Sequence, residues 1–134
     1  MNVRLYKSED YEQVAALYKN SDLYGGQFDE NRDSKERLEA RADAIFVAEE
    51  EGKIVGTVSL IEDGRVAWLF RFAVIGNRED VARALAQTAE KELESRGHHQ
   101  VLVYTPVGND GLNGRYEKLG FTKGNDYTCY YKNI

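Results

Sequence analysis

Two acid–glycine pairs, Glu51-Gly52 and Asp63-Gly64, constrain this chain more than any other feature, because they divide one long β-forming stretch into three runs. The runs are Ile45 to Glu49, Lys53 to Ile61 and Arg65 to Ile75. A glycine that tolerates positive φ lets a hairpin close within two residues, and hairpins that short join antiparallel neighbours. The middle of the chain therefore reads as a three-stranded antiparallel meander. Gly56, inside the middle run, marks a bulge or a close approach by another part of the backbone.

Around the meander the period changes. Val3 to Tyr6 reads as an opening strand, with Ser8 as the cap of a helix whose stripe is Tyr11, Val14, Ala15, Leu17 and Tyr18. Residues 20–32 are rich in Gly, Asp, Asn and Ser and predict a loop, followed by a charged helix over 33–42. A long helix is expected over 78–96, with Val81, Leu85, Ala89 and Leu93 repeating every four residues and Gly97 ending it. Gln100 to Tyr104 predicts a strand covered on both faces. In a short helix before Gly120-Phe121, Leu112, Tyr116 and Leu119 share one face. Strands at Phe121–Lys123 and Tyr127–Lys132 complete the expectation, with Cys129 as a small core residue. The sum is one α/β (α+β) domain over 1–134: a mixed, mostly antiparallel sheet of six to seven strands flanked by about four helices.

Composition narrows the function. A net charge of -5 argues against nucleic acid as the main partner, because phosphate-backbone binding rests on a basic face. The lone cysteine excludes an internal disulfide, no apolar run is long enough for a bilayer, and MNVRLYKSED lacks the apolar centre of a secretory signal. A cytoplasmic protein without a membrane partner is expected. His98 and His99 follow the long helix, where imidazolium complements the dipole, and without neighbouring acid or Cys clusters they do not predict a metal site. The aromatic Tyr127–Tyr131 segment makes a homodimer a further possibility.

The element order, together with EEGKIVG (50–56, beginning at Glu50), FAV (72–74) and the N…YEKLGF segment of 109–121, resembles the GNAT superfamily of acyl-CoA-dependent N-acetyltransferases. The resemblance implies that acetyl-CoA is the cosubstrate. It implies that a splayed pair of central strands admits the pantetheine arm, with Phe72, Ala73 and Val74 lending backbone to the thioester. Asn109 matches the family's CoA-contacting amide, and Tyr116 its usual proton donor. The family's pyrophosphate loop, Q/R-x-x-G-x-G/A, falls on 77–82, which assigns cofactor contacts to Asn77, Arg78, Val81 and Ala82. Arg83 is a further candidate for the phosphates. Here Asp80 stands at the central Gly of that pattern and Asn77 replaces Gln or Arg. A carboxylate facing a phosphate at 5 Å would weaken binding by about two decades at an effective dielectric of 20, and by less than one if water screens it. In an unliganded helix, Glu79 and Asp80 in the first turn are what the dipole favours.

The acceptor implied is a primary amine of a small molecule, amino acid or peptide, and the Tyr24–Phe28 region would line its pocket as the same region does in relatives. Arg71, by strand alternation opposite Phe70 and Phe72, is either a cleft-facing anchor for substrate or phosphate or an ion-paired strand arginine. Glu49, Asp22 and Asp29 are candidates for base or substrate anchor, although each reads more simply as a plain surface acid. The alternative function is a GNAT-like binding or regulatory module with weak or no CoA-dependent catalysis.

Overall fold

The computed structural model describes residues 1–21, 23 and 33–134. They fall into two compact units, 1–103 and 104–134. In the first, β1 (Asn2–Leu5), β2 (Ile45–Glu50), β3 (Lys53–Glu62) and β4 (Ala67–Val74) form one antiparallel sheet in sequence order. Helices α1 (Tyr11–Asn20), α2 (Lys35–Glu39) and α3 (Glu79–Ser95) belong to the same unit.

The expected meander is present, and its turns use the acid–glycine pairs. Glu51 and Gly52 both take positive φ, 51° and 79°, the requirement of the hairpin turn whose twist matches its strands. At the second turn Gly64 has φ 86° and the Asp63 carboxylate accepts from Arg65 N at 2.9 Å. Strand β3 is buried continuously from Ile54 to Leu60 because both of its faces are covered. One face packs with α1 through Val14, Leu17, Tyr18, Ile45, Val47 and Ala73. The other meets α3 at Gly56, where an added Cβ would lie 2.8 Å from Val81 Cγ1 and 2.9 Å from Leu85 Cδ1. The closest approach at Gly56 is thus made by side chains of α3 rather than by another stretch of backbone. A bulge at Ala48/Glu49 lies beside it.

Several expectations are corrected. Among the described residues the sheet has four strands, not six to seven. Of the strand expected over 100–104, the structure retains a parallel bridge, Trp68 to Leu102, with Leu69 N and Leu102 N each donating at 2.9 Å. Val101 to Val103 are half-buried rather than covered on both faces. No strand is assigned in residues 121–134, and Tyr127, Tyr130, Tyr131 and Cys129 are exposed, so Cys129 is not a core residue. Alternation alone does not make a strand: the pleat needs a neighbouring ladder and a face to bury. The charged helix is shorter than expected, five residues begun by Ser34. Ser8 does not cap α1 either. It opens a single 3₁₀ turn and donates to Glu39 Oε1 at 2.6 Å, while Asp10 accepts from Lys7 N at 2.8 Å and from Arg4.

In the second unit, α4 (Asp110–Lys118) carries half-buried Leu112 and Tyr116, followed by half-buried Leu119. Among the described residues, no helix is long and apolar enough to cross a membrane.

Candidate functional site

Strand β4 does not run regularly. Thr57 pairs with Ala73 but Ser59 pairs with Phe70, so β4 holds one residue more than β3 in this interval, and Arg71 sits at φ 52°. That is a β-bulge, and it breaks the alternation from which the direction of Arg71 was expected. The guanidinium lies 5.0 Å from the Phe70 ring centroid and 5.9 Å from that of Tyr18, on the α1 side of the sheet. There Arg71 Nη2 is 2.7 Å from Asp33 Oδ2, with the two side chains only 9% and 5% exposed. Nη1 donates to the carbonyl of Leu23. Of the two sequence readings of Arg71, the ion-paired one describes this arrangement. The bulge leaves Phe72 and Val74 half-buried and Ala73 in the core against α1.

From β4 the chain turns through Gly76 and Asn77, both at left-handed φ (59° and 55°), into α3. Val81 is fully buried against Gly56, so its side chain belongs to the core, and Ala82 N is committed to Arg78 O at 3.1 Å. The Val81 side chain thus faces the sheet, and Ala82 is half-buried. Arg78 is held by two carboxylates: Nη1 and Nη2 donate to Glu50 at 2.8 and 3.0 Å, and Nε and Nη2 donate to Asp80 at 3.2 and 2.7 Å. Arg83 donates to Glu79 at 3.0 Å. Arg78 holds the carboxyls of Glu50 and Asp80 below the usual carboxylate range, and the Val81 N–H adds to the effect at Asp80.

In the second unit, Asn109 caps α4, its Oδ1 accepting from Leu112 N at 3.0 Å. Gly120 (φ 94°) follows the helix; Phe121 N donates to Tyr116 O at 3.1 Å and Gly120 N to Glu117 O at 3.0 Å, a Schellman closure. Its characteristic apolar contact is Tyr116 against Phe121, ring centroids 5.5 Å apart and edge-to-face. Burial pushes the Tyr116 phenol above its ordinary value of 10.

The remaining candidates separate clearly. Glu49 accepts from Arg4 at 2.8 Å, an arginine that also holds Asp10. Tyr24, Phe28, Asp22 and Asp29 lie outside the described residues. His98 is buried with Nε2 2.8 Å from Glu62 Oε2, and Glu62 also accepts from Gly64 N at 2.9 Å, which makes the histidine a strut between α3 and a hairpin. Among the described residues no group of three or more His, Cys, Asp or Glu is arranged to hold a metal.

Residues 11–121 match the family model described as Acetyltransferase (GNAT) family. This chain belongs to the GNAT acetyltransferases. Solved structures carry the same fold at low identity. A putative acetyltransferase from Agrobacterium tumefaciens is 18% identical with a TM-score of 0.80, the match covering 98% of this chain and 100% of the other. An aminoglycoside antibiotic 6'-N-acetyltransferase from Acinetobacter haemolyticus gives 15% identity and a TM-score of 0.78 over 100% and 99%. A PaiA N-acetyltransferase from Thermoplasma acidophilum, solved in complex with coenzyme A, gives 21% and 0.72 over 87% and 86%.

A GNAT protein has to accommodate CoA along β4 and at the start of α3. The bulge takes backbone groups of β4 out of the regular β3–β4 ladder, groups of the kind an amide-bearing ligand can pair with. The start of α3 fits the pyrophosphate less well, because each arginine near it already faces carboxylate. Glu50 is the residue that sequence reasoning missed. Nothing in EEGKIVG distinguishes it from Glu49 or Glu51, and its pairing with Arg78 spans 28 positions.

Proposed function

We propose that this GNAT chain transfers an acetyl group from acetyl-CoA to a primary amine of a small molecule, an amino acid or a peptide terminus. The reading is carried by the bulge at Arg71, which re-aims the β4 backbone immediately before Phe72, Ala73 and Val74 in a chain of an acyl-transferring family. When bound, acetyl-CoA supplies the acetyl thioester. A backbone N–H of the Phe72–Val74 segment polarises the thioester carbonyl as a fixed oxyanion donor. The neutral acceptor nitrogen forms the new C–N bond, the C–S bond breaks, and the Tyr116 hydroxyl gives its proton to the departing sulfur. The surplus proton on nitrogen returns to the phenolate through solvent. A phenol raised above 10 stays protonated at neutral pH, which is the form a donor needs. Asn109 and Asn77 are assigned to CoA with it, and the Tyr24–Phe28 segment to the acceptor. A net charge of -5 favours encounter with cationic amines.

Acetyl-CoA in excess should raise the melting temperature, because a ligand of the native state stabilises it by mass action. Tyr116→Phe should lower turnover by roughly a hundredfold or more while leaving that thermal shift intact. Equal turnover of the two proteins would reduce Tyr116 to its packing role against Phe121. The second reading, a binding or regulatory GNAT module, is favoured by the carboxylates around Arg78, and it predicts no shift with acetyl-CoA, CoA or longer acyl-CoA.

A further inference from the structure

On the footing of the acyl-CoA reading above, we infer that Glu50, Arg78 and Asp80 form a donor-selecting clamp at the start of α3, one that withholds this helix terminus from the pyrophosphate of CoA. A helix start attracts anions through its unsatisfied N–H groups and its dipole, and a phosphate bound there is normally reinforced by a nearby arginine. In this chain the reinforcement is already engaged. Arg78 donates to both oxygens of Glu50 and to both of Asp80. Across Glu50, Arg78, Glu79, Asp80 and Arg83, three carboxylates face two guanidinium groups, so the terminus carries a net formal charge of -1. Arg78 and Arg83 are both within ion-pair distance of that set.

A pyrophosphate arriving here must displace Asp80 or Glu50 from Arg78 and then sit beside the carboxylate it displaced. The pantetheine arm, uncharged and bound along β4, meets no such obstacle. The clamp therefore acts on one end of the donor only. The Arg78, Glu50 and Asp80 side chains are 36%, 35% and 60% exposed, so water screens the effect to about five- to tenfold in affinity rather than two decades.

The test is calorimetric titration of the whole chain with CoA and, separately, with pantetheine, which lacks the pyrophosphate and nucleotide. Wild type should bind the two with dissociation constants within about threefold of each other. Asp80→Gly should tighten CoA about five- to tenfold and leave pantetheine unchanged. Asp80→Asn, which keeps a side chain on the first helical turn while removing its charge, should move CoA in the same direction, and so should Glu50→Gln. CoA bound by wild type a hundredfold more tightly than pantetheine, or CoA affinity indifferent to all three substitutions, would overturn the clamp and leave the proposed activity standing. Binding of neither ligand by any variant would take down the acyl-CoA reading and the clamp with it.

Discussion

Helices α3 and α4 end alike and begin differently. Each closes on a glycine in the left-handed region, Gly97 at φ 92° and Gly120 at φ 94°, followed by an N–H that reaches back to Leu93 O or Tyr116 O. At the start, α4 is capped by Asn109, three residues from the N–H it satisfies. No side chain caps α3; Arg78 at its N-cap is instead pinned by Glu50 from the end of β2. A helix end needs only one residue that tolerates positive φ, so the local sequence suffices. A helix start accepts any charge that the fold brings near, and which charge arrives depends on tertiary structure.

The largest expected effect breaks the contrast at its packed side. Gly56→Val would force a branched side chain against Val81 and Leu85, and overpacking of that kind costs roughly 1–3 kcal/mol, visible as a lower urea midpoint. An unchanged midpoint would mean that α3 is not seated as tightly as the contact distances require. Helix α4 should respond in the opposite sense. At Gly114 an added Cβ meets nothing within 4 Å, so Gly114→Ala should stabilise by up to about 1 kcal/mol through helix propensity alone. Loss of stability there would reveal a close neighbour at this position.

Asn109→Ala tests the local cap and should cost about 1 kcal/mol, read as faster amide exchange at Leu112 and Asn113. A variant that lost CoA affinity with no change in exchange would instead place the amide on the cofactor.

The smallest effect is a difference in acid sensitivity. The Glu50 and Asp80 carboxyls titrate below their ordinary values of 4.5 and 3.8 in the folded state. A depressed folded pKa stabilises fully above the ordinary value and is lost as pH falls through the folded one, so protection at the start of α3 should fray below about pH 4. The neutral Asn109 amide does not titrate, and its bond to Leu112 N should persist. Amide exchange measured from pH 6 down to pH 3 should show α3 loosening at its first turn while the Asn109 cap holds; parallel behaviour would remove the distinction.

The legible part of the fold lies where short segments carry their own instructions. Glu51-Gly52 and Asp63-Gly64 specified the meander, and the spacing Val81, Leu85, Ala89, Leu93 specified the buried face of α3. The tail was misread because Tyr127, Cys129 and Tyr131 have the alternation of a strand without the ladder that makes one. Of the candidate site, the family-bearing residues Asn109 and Tyr116 could be picked out, but each also has a local part in shaping α4. The direction of Arg71 could not be read, since a bulge shifts every side chain after it and depends on the register of β3 against β4.

By itself the amino-acid sequence determined the order of elements from β1 to α3, the tight turns and the glycine ends of α3 and α4, all of which rest on φ preferences and periodicity within a few residues, while its motifs carried the resemblance to an acetyltransferase family. Tertiary structure alone decided that Arg71 turns to Asp33, that Gly56 receives Val81 and Leu85, and that Glu50 holds Arg78. Those are meetings of charge and volume between distant positions. Their outcome depends on which surfaces the folded chain brings within a few ångströms.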